Sequence, residues 1–402
     1  MTARYKWWVV AMLWWIAFFN YADRQAIFSV FPLLEKELHL TTVQLGLLGS
    51  AFAWVYGLCS PAAGMIVDRV RRKSAILAGL EGWSLICMAT ALARSFPVLV
   101  FFRGAEGLGE TFYFPASVSL VSDYHGADTR SRALGLHQTS VYIGTIAGGF
   151  FAGAIGQHYG WRWSFLIFGG LGVLLGVVLS RFLHEPPRRA DAVKMPLAGF
   201  LRLLWRTPAA MLLMGAFVCA NFVAVVLLSW MPKFLYDKFH LSLAAAGLTA
   251  TIFVQLASMA GSPLGGWMAD VLRRRWAGGR IAVQAVGVLC GAPFVALCGL
   301  TDSSVWLVVA LAAWGFFKGL YDANIFASLF DVVPPEARGT AAGFINMAGW
   351  LGGGGTAPLA IGLVARDRGL GPAIAMAAAV YVLAGALLLA AIASQTRRLF
   401  PN

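Results

Sequence analysis

Twelve stretches of 18 or more mostly apolar residues divide this chain, at about 7–34, 44–67, 74–93, 97–120, 131–156, 160–183, 209–235, 243–269, 280–300, 304–330, 339–364 and 371–394. Each is long enough to cross a hydrocarbon layer roughly 30 Å thick as a helix rising about 1.5 Å per residue. Backbone polar groups in lipid must be satisfied within the segment, so such a chain folds as an all-α integral membrane bundle. Composition agrees. The chain is 59% hydrophobic and 12% charged with a mean hydropathy of +0.73, whereas a soluble domain is about a quarter charged. Several runs exceed the span length, and Pro61, Pro115, Pro263 and Pro358 are the expected bend points.

The net charge of +13 does not mark a nucleic-acid binder, because the basic residues sit in short loops between apolar runs. Of 31 Lys and Arg residues, 21 fall on the side that holds the N-terminus and 7 on the other, leaving only Arg24, Arg103 and Lys318 within the spans. The positive-inside rule then places both termini in the cytoplasm and the chain in a cell membrane, inner or plasma. Arg4 and Lys6 precede the first run as in a signal peptide. The run is too long and no small-residue cleavage site follows, so it is expected to remain as the first span. All five Cys lie in apolar segments with no metal-ligand spacing, and read as small fillers.

A connection rich in Pro and Arg divides the spans six and six: a first bundle over 1–183, a cytoplasmic linker over 184–208 and a second bundle over 209–402. The halves echo each other. Ser60, Pro61, Gly64, Asp68, Arg71, Arg72 and Lys73 recur 202 residues later as Ser262, Pro263, Gly266, Asp270, Arg273, Arg274 and Arg275. At an offset of 208, Asp123, Asp128, Arg130, Gly135 and Gly144 match Asp331, Glu336, Arg338, Gly343 and Gly352. Constant internal spacing implies duplicated bundles that rock about a shared site.

Charge inside the spans is costly and marks function. Asn20-Tyr21-Ala22-Asp23-Arg24 puts an acid and a base near mid-membrane in the first run. The fourth run carries Arg103, Glu106 and Glu110, which share one helical face at spacings of three and four. Glu110 reads as a proton carrier. Arg103 with Glu106 reads either as a neutral cluster holding the helix or as part of the site. Lys318 and Asp322 in the tenth run neutralise each other or line a cavity. Tyr21, Tyr56, Gln138, Asn221, Gln255 and Asn346 lie at similar depths, each an interhelical contact or a substrate contact, while His137 reads as packing or gate lining. There is no phosphate loop for ATP-driven pumping, nor a hydrolase motif, so an enzyme is not expected. A membrane receptor or scaffold would have no need of several ionisable groups at one depth.

Gly64-x-x-x-Asp68-Arg69-x-Arg71-Arg72-Lys73 resembles the loop signature of the major facilitator superfamily. Gly64 is expected to permit close helix approach. Asp68, Arg69, Arg72 and their echoes Asp270 and Arg274 are expected to latch an inner gate rather than bind substrate. Tyr21-Ala-Asp23-Arg24, the stretch from Ala51 to Cys59, and Gly107-Leu-Gly109-Glu110 through Phe114-Pro115 resemble the anion:cation symporter family, whose bacterial members import sugar acids with protons. The resemblance implies that Arg24, Tyr21, Tyr56 and Asn346 contact substrate and that Asp23 and Glu110 carry protons. Gln138 and Asn221 join the substrate-binding set by depth. Spinster-type lysolipid carriers share the first-run and fourth-run patterns, and remain the alternative. Gly144-Thr-Ile-Ala-Gly148-Gly149 lacks the Pro typical of antiporters, which favours symport. The expectation is a monomeric, proton-coupled carrier of a small organic anion working by alternating access, with no cofactor beyond the proton gradient.

Overall fold

The computed structural model describes residues 4–185 and 197–399, so Arg188, Arg189 and Lys194 of the central connection fall outside the described residues. The rest is helical. The first span is α1 (Tyr5–Ser29) continued by the short α2 (Phe31–Leu38), with the interruption at Val30 just ahead of Pro32. The second and third spans are α3 (Thr42–Arg69) and α4 (Arg72–Thr90). The fourth breaks at Thr111 and Phe112 into α5 (Phe96–Glu110) and α6 (Tyr113–Tyr124). Pro115 accounts for that break: it lacks an N–H, and its ring clashes with the carbonyl four residues back, that of Thr111. The fifth and sixth spans are α7 (Ala127–Tyr159) and α8 (Trp161–Phe182).

In the second half, α9 (Leu197–Trp205) precedes the long α10 (Pro208–Phe239), α11 (Leu243–Arg275) and α12 (Gly279–Leu300). The tenth span divides into α13 (Ser304–Asp322) and α14 (Ile325–Val332), and the eleventh into α15 (Arg338–Ala348) and α16 (Ala357–Arg368). Between the last two lies a π-helical segment, Gly349–Gly354, which closes four residues ahead of Pro358. The twelfth span is α17 (Leu370–Leu399). Pro115 and Pro358 therefore mark interruptions as expected, while Pro61 and Pro263 sit inside the unbroken α3 and α11. Short α9 stands where a plain linker was expected. Its Phe200 is buried and packs on Phe344 with ring centroids 5.0 Å apart.

Nine helices among the described residues are apolar enough to span by length and composition alone. The first, third and fourth spans are not among them, and the first and fourth carry Asp23, Arg24, Arg103, Glu106 and Glu110. Their polarity is the local cost of the site they build.

Contacts divide the chain into two units, Met1–Ala190 with Leu228–Thr251, and Asp191–Leu227 with Ile252–Asn402. The first unit has a core of Val9, Leu13 and Ile16 from α1, Ile76, Leu80 and Trp83 from α4, and Leu120 from α6. Residues from 228 onward join it through specific bonds. Gln25 donates to the Leu228 carbonyl at 2.9 Å, Lys233 pairs with Glu35 of α2, and Phe31 meets Trp230 edge-on. In the second unit Trp314 of α13 and Tyr381 of α17 are fully buried against each other.

The repeat read from the sequence is visible in the backbone. His39 and His240 both take left-handed conformations (φ 50° and 53°) where the first and seventh spans end. Gly160 and Gly369 do the same (φ 89° and 81°) ahead of the sixth and twelfth.

Candidate functional site

The site grows from the face of α1 that carries Asn20, Tyr21 and Arg24. Residues 20 and 24 stack one turn apart, and 21 lies beside them. Arg24 Nε donates to Glu110 Oε2 at 3.0 Å, and Nη2 of the same guanidinium reaches that oxygen too. Nη2 also donates to Asn20 Oδ1 at 3.4 Å. Glu110 is the last residue of α5, so the helix break at Pro115 leaves its carboxylate at a helix end beside α1. Both partners are buried, Arg24 at 8% and Glu110 at 1% exposure.

Aromatic rings cap the cation. The Arg24 guanidinium carbon lies 4.7 Å from the Tyr21 ring centroid, 4.8 Å from that of Phe52 and 5.0 Å from that of Tyr56. Such contacts hold a desolvated guanidinium by the ring quadrupole and leave its edge for hydrogen bonding. Arg24, Glu110, Tyr21, Tyr56 and Gln138, all expected as site residues, line one small hollow in the first unit. Eight of its eleven lining residues carry a polar group.

Three polar lining residues were missed as contacts: Asn20, Tyr113 and His137. Tyr113 donates to the Leu13 carbonyl at 2.6 Å and pairs with His137 Nε2 at 2.9 Å. His137 therefore fits the packing or gate-lining role read from its sequence position, while Tyr113 gave no signal apart from standing in the fourth-run motif.

Asp23 is placed differently from expectation. It does not line the hollow, because on a helix the residue next to Arg24 points about 100° away. It is 3% exposed, and one of its oxygens, the Cys87 sulfur and a Glu106 oxygen all lie within 4.8 Å of one another. Glu106 pairs with Arg103, and the Arg103 guanidinium lies 4.9 Å from the Phe52 centroid. Phe52 thus stands against both Arg24 and Arg103.

In the second unit, Asn221 donates to the Gly349 carbonyl at 2.7 Å and so tethers α10 to the π-helical segment. Asn346 is half-buried on α15. Lys318 and Asp322 pair one turn apart on α13.

The loop motif also departs from expectation. A Cβ on Gly64 would meet nothing within 4 Å, and the same holds for Gly266, so the close helix approach expected at Gly64 is not made here. The side chain of Asp68 falls outside the described residues, and Arg69 and Arg274 are exposed. The ion pairs are nevertheless repeated. Arg72 pairs with Asp123 in the first unit, and Arg280 with Asp331 at 3.0 Å in the second, where Arg280 also holds Asp270 at 2.9 Å. Arg280 and Asp331 stand 208 residues after Arg72 and Asp123, the offset of the second echo. α11 runs five residues past Asp270 where α3 runs one past Asp68, and the loop that follows is one residue longer, so Arg280, not Arg274, is the structural counterpart of Arg72.

Two repeated halves of six spans, with a buried ion pair lining a polar hollow inside the first, are the layout of a multi-pass membrane transporter. The family model of the Major Facilitator Superfamily matches residues 13–355 and 234–400, and the chain belongs to that superfamily. It is 24% identical to the probable galactarate/D-glucarate transporter of Escherichia coli (strain K12) over 90% of this chain and 88% of that one. It is 26% identical to the protein spinster of Drosophila melanogaster over 90% of this chain and 62% of that one. A crystal structure of a bacterial homolog to the human lysosomal transporter spinster, inward-facing and unoccupied, matches its fold with a TM-score of 0.84 at 22% identity, covering 98% of both chains.

Proposed function

We propose that this protein is a secondary transporter that carries a small organic anion, a sugar acid or related carboxylate, together with protons. The observation that supports this most is the Arg24–Glu110 pair at the hollow. A buried guanidinium offers a planar, bidentate match to a carboxylate, and here an internal carboxylate occupies it. A cargo carboxylate competes with Glu110 for that cation. When Glu110 takes a proton it gives up its claim on Arg24, and the cargo binds without leaving two anions on one cation. Proton and anion then load together and leave together. Tyr21, Tyr56, Asn20 and Gln138 supply donors and acceptors for hydroxyl groups on the cargo. The similarity to a probable galactarate/D-glucarate transporter supports the same cargo class.

In this reading the two six-helix halves alternate access, both termini face the cytoplasm of a cell membrane, and a monomer suffices with no cofactor beyond the proton gradient. Asn346 and Asn221 are further proposed cargo contacts, and the Arg72–Asp123 and Arg280–Asp331 pairs would each steady their own unit. Uptake of labelled galactarate and D-glucarate into proteoliposomes under an imposed pH gradient tests it. Accumulation by the wild type and its loss in Glu110→Gln, with exchange at equal pH retained, is the expected result. Accumulation by Glu110→Gln as by the wild type overturns it.

A second reading, transport of a lysolipid, is favoured by the similarity to spinster proteins. Thermal-shift screening of the purified protein separates the two: sugar acids, not lysolipids, are expected to raise its melting temperature.

A further inference from the structure

Helices α1 and α5 bring three buried acids, Asp23, Glu106 and Glu110, together with two buried bases, Arg24 and Arg103. Two of the acids are paired, Glu110 with Arg24 and Glu106 with Arg103. One negative charge is therefore left over in a dry setting, where an uncompensated charge is prohibitive. Of the three acids, Asp23 is the one without an ion pair among the described residues. Oδ1 of Asp23, Oε1 of Glu106 and Oε1 of Glu110 are all buried with no hydrogen-bond partner among the described residues, and Glu106 is the acid that stands beside Asp23. Oxygens of these two carboxyl groups, with the Cys87 sulfur of α4, lie within 4.8 Å of one another. The Cys87 thiol donates to the Phe165 carbonyl of α8 at 3.5 Å, so it faces the acids as a neutral thiol. A metal ion here would lack the thiolate and would sit beside the Arg103 guanidinium that already holds Glu106. A proton meets no such objection.

We propose that Asp23 and Glu106 form one buried proton-binding site, a carboxyl O–H of one held against the free oxygen of the other beside the Cys87 sulfur. Such a charge-assisted bond closes at about 2.6 Å, and oxygens of the two carboxyl groups already stand within 4.8 Å of each other. The proposal rests on the proton-coupled reading above and adds a residue to it. Glu110 exchanges its proton in competition with the cargo at the hollow. The Asp23–Glu106 proton sits on the other side of α1, away from the cargo, and Glu106 becomes a member of the proton site rather than only a brace for Arg103.

Infrared spectroscopy of the purified protein near pH 7, in water and in deuterium oxide, reads a protonated carboxyl directly through its C=O stretch, whatever the transport activity. The wild type is expected to show a deuteration-sensitive band that vanishes in both Glu106→Gln and Asp23→Asn, because removing either acid balances the two guanidinium charges. The amide introduced by Glu106→Gln can still accept from Arg103, and melting curves check that the variant is folded. A band that persists in Glu106→Gln overturns the proposal, since the proton then sits without that residue. No band in the wild type overturns it too, as does a wild-type band abolished by sodium or a divalent metal ion. In proteoliposomes, Glu106→Gln is expected to keep sugar-acid exchange at equal pH and to lose gradient-driven accumulation. If the wild type shows no gradient-driven accumulation the proton-coupled reading fails, while the infrared result still judges the shared site.

Discussion

Gly148 of α7 lies directly against Ala22 of α1: a Cβ built on the glycine would meet the Ala22 carbonyl oxygen at 2.2 Å. The contact fixes α1 immediately before Asp23 and Arg24, so helix packing sets the position of the charges. Gly148→Val is expected to force the two backbones apart, costing about 1–3 kcal/mol as overpacking does, and to weaken cargo binding with it. Gly170→Ala of α8 is the control, since a Cβ there meets nothing within 4 Å. Melting curves in detergent and equilibrium binding of a sugar acid check both.

Arg24→Lys keeps the charge and loses the fork. A lysine ammonium cannot reproduce the two-nitrogen contact that Arg24 makes with Glu110, nor the contact of a planar guanidinium with the rings of Tyr21, Phe52 and Tyr56. Anion affinity is expected to fall about tenfold or more, which corresponds to about 1.4 kcal/mol. Unchanged affinity by calorimetry would remove Arg24 from the cargo site.

These two cases show what the sequence could reveal and where it ran out. Spans follow from apolar run length, and the breaks at Thr111 and at Gly349–Gly354 follow from Pro115 and Pro358, because these effects are local. Arg24, Tyr21, Tyr56, Gln138 and Glu110 stood out because polar residues at one depth are rare in a membrane chain. What a linear reading could not supply was direction around the helix axis. Depth alone put Asp23 beside Arg24, whereas the helix turns it toward Cys87 and Glu106. Arg280 did not stand out because the longer end of α11 and its loop shift it out of the 202-residue register. Phe52 looked like any aromatic in an apolar run, since its role depends on what faces each side of its ring.

His125, in the turn between α6 and α7, lies outside the spans. It is fully buried, packs edge-on against Trp7 with centroids 4.8 Å apart, and contacts the Lys6 carbonyl at 3.2 Å and the Thr129 hydroxyl at 3.0 Å. Burial pushes its imidazole below the ordinary histidine value; the hydrogen bond to the Lys6 carbonyl opposes this and the charge on Lys6 adds to it. The unfolded chain then takes up the proton first as pH falls. The contribution of this group to stability is whole above about pH 6.5 and is lost as pH drops through the lower folded-state value. His125→Gln is expected to narrow the difference in melting temperature between about pH 7.5 and 5.5. An unchanged difference would show that other groups control it.

Lys233 of α10 is 4% exposed and bridges Glu35 of α2 and Asp237 one turn further on, the latter at 2.8 Å. Removing Glu35 leaves the ammonium with Asp237, so Glu35→Gln is expected to be mild. Removing Lys233 leaves two carboxylates facing each other, both partly hydrated, so Lys233→Met costs more but not the full penalty of a buried orphan charge. A double-mutant cycle on Glu35 and Lys233, read by melting of the purified protein, is expected to give a coupling of about 0.5–3 kcal/mol. Coupling near zero would mean that the Gln25–Leu228 bond and the Phe31–Trp230 contact hold this end of α10 without the ion pair.

Phe52 offers the sharpest separation of charge placement from hydrophobic packing. Its ring lies 4.8 Å from the Arg24 guanidinium carbon and 4.9 Å from that of Arg103, so one aromatic side chain serves the cation of the hollow and the cation that holds Glu106. Phe52→Leu keeps most of the apolar volume and removes the quadrupole, while Phe52→Tyr keeps the ring. Each desolvated cation–π contact is worth about 0.5–2 kcal/mol, so the leucine variant is expected to lose stability on that order. It should also bind sugar acids more weakly, because a guanidinium no longer held flat presents its donors to the cargo in more than one orientation. If stability falls with cargo affinity unchanged, Phe52 packs the bundle and does not orient Arg24. If the leucine and tyrosine variants are equally impaired, the defect is steric, and the two-sided cation contact carries no energy of its own.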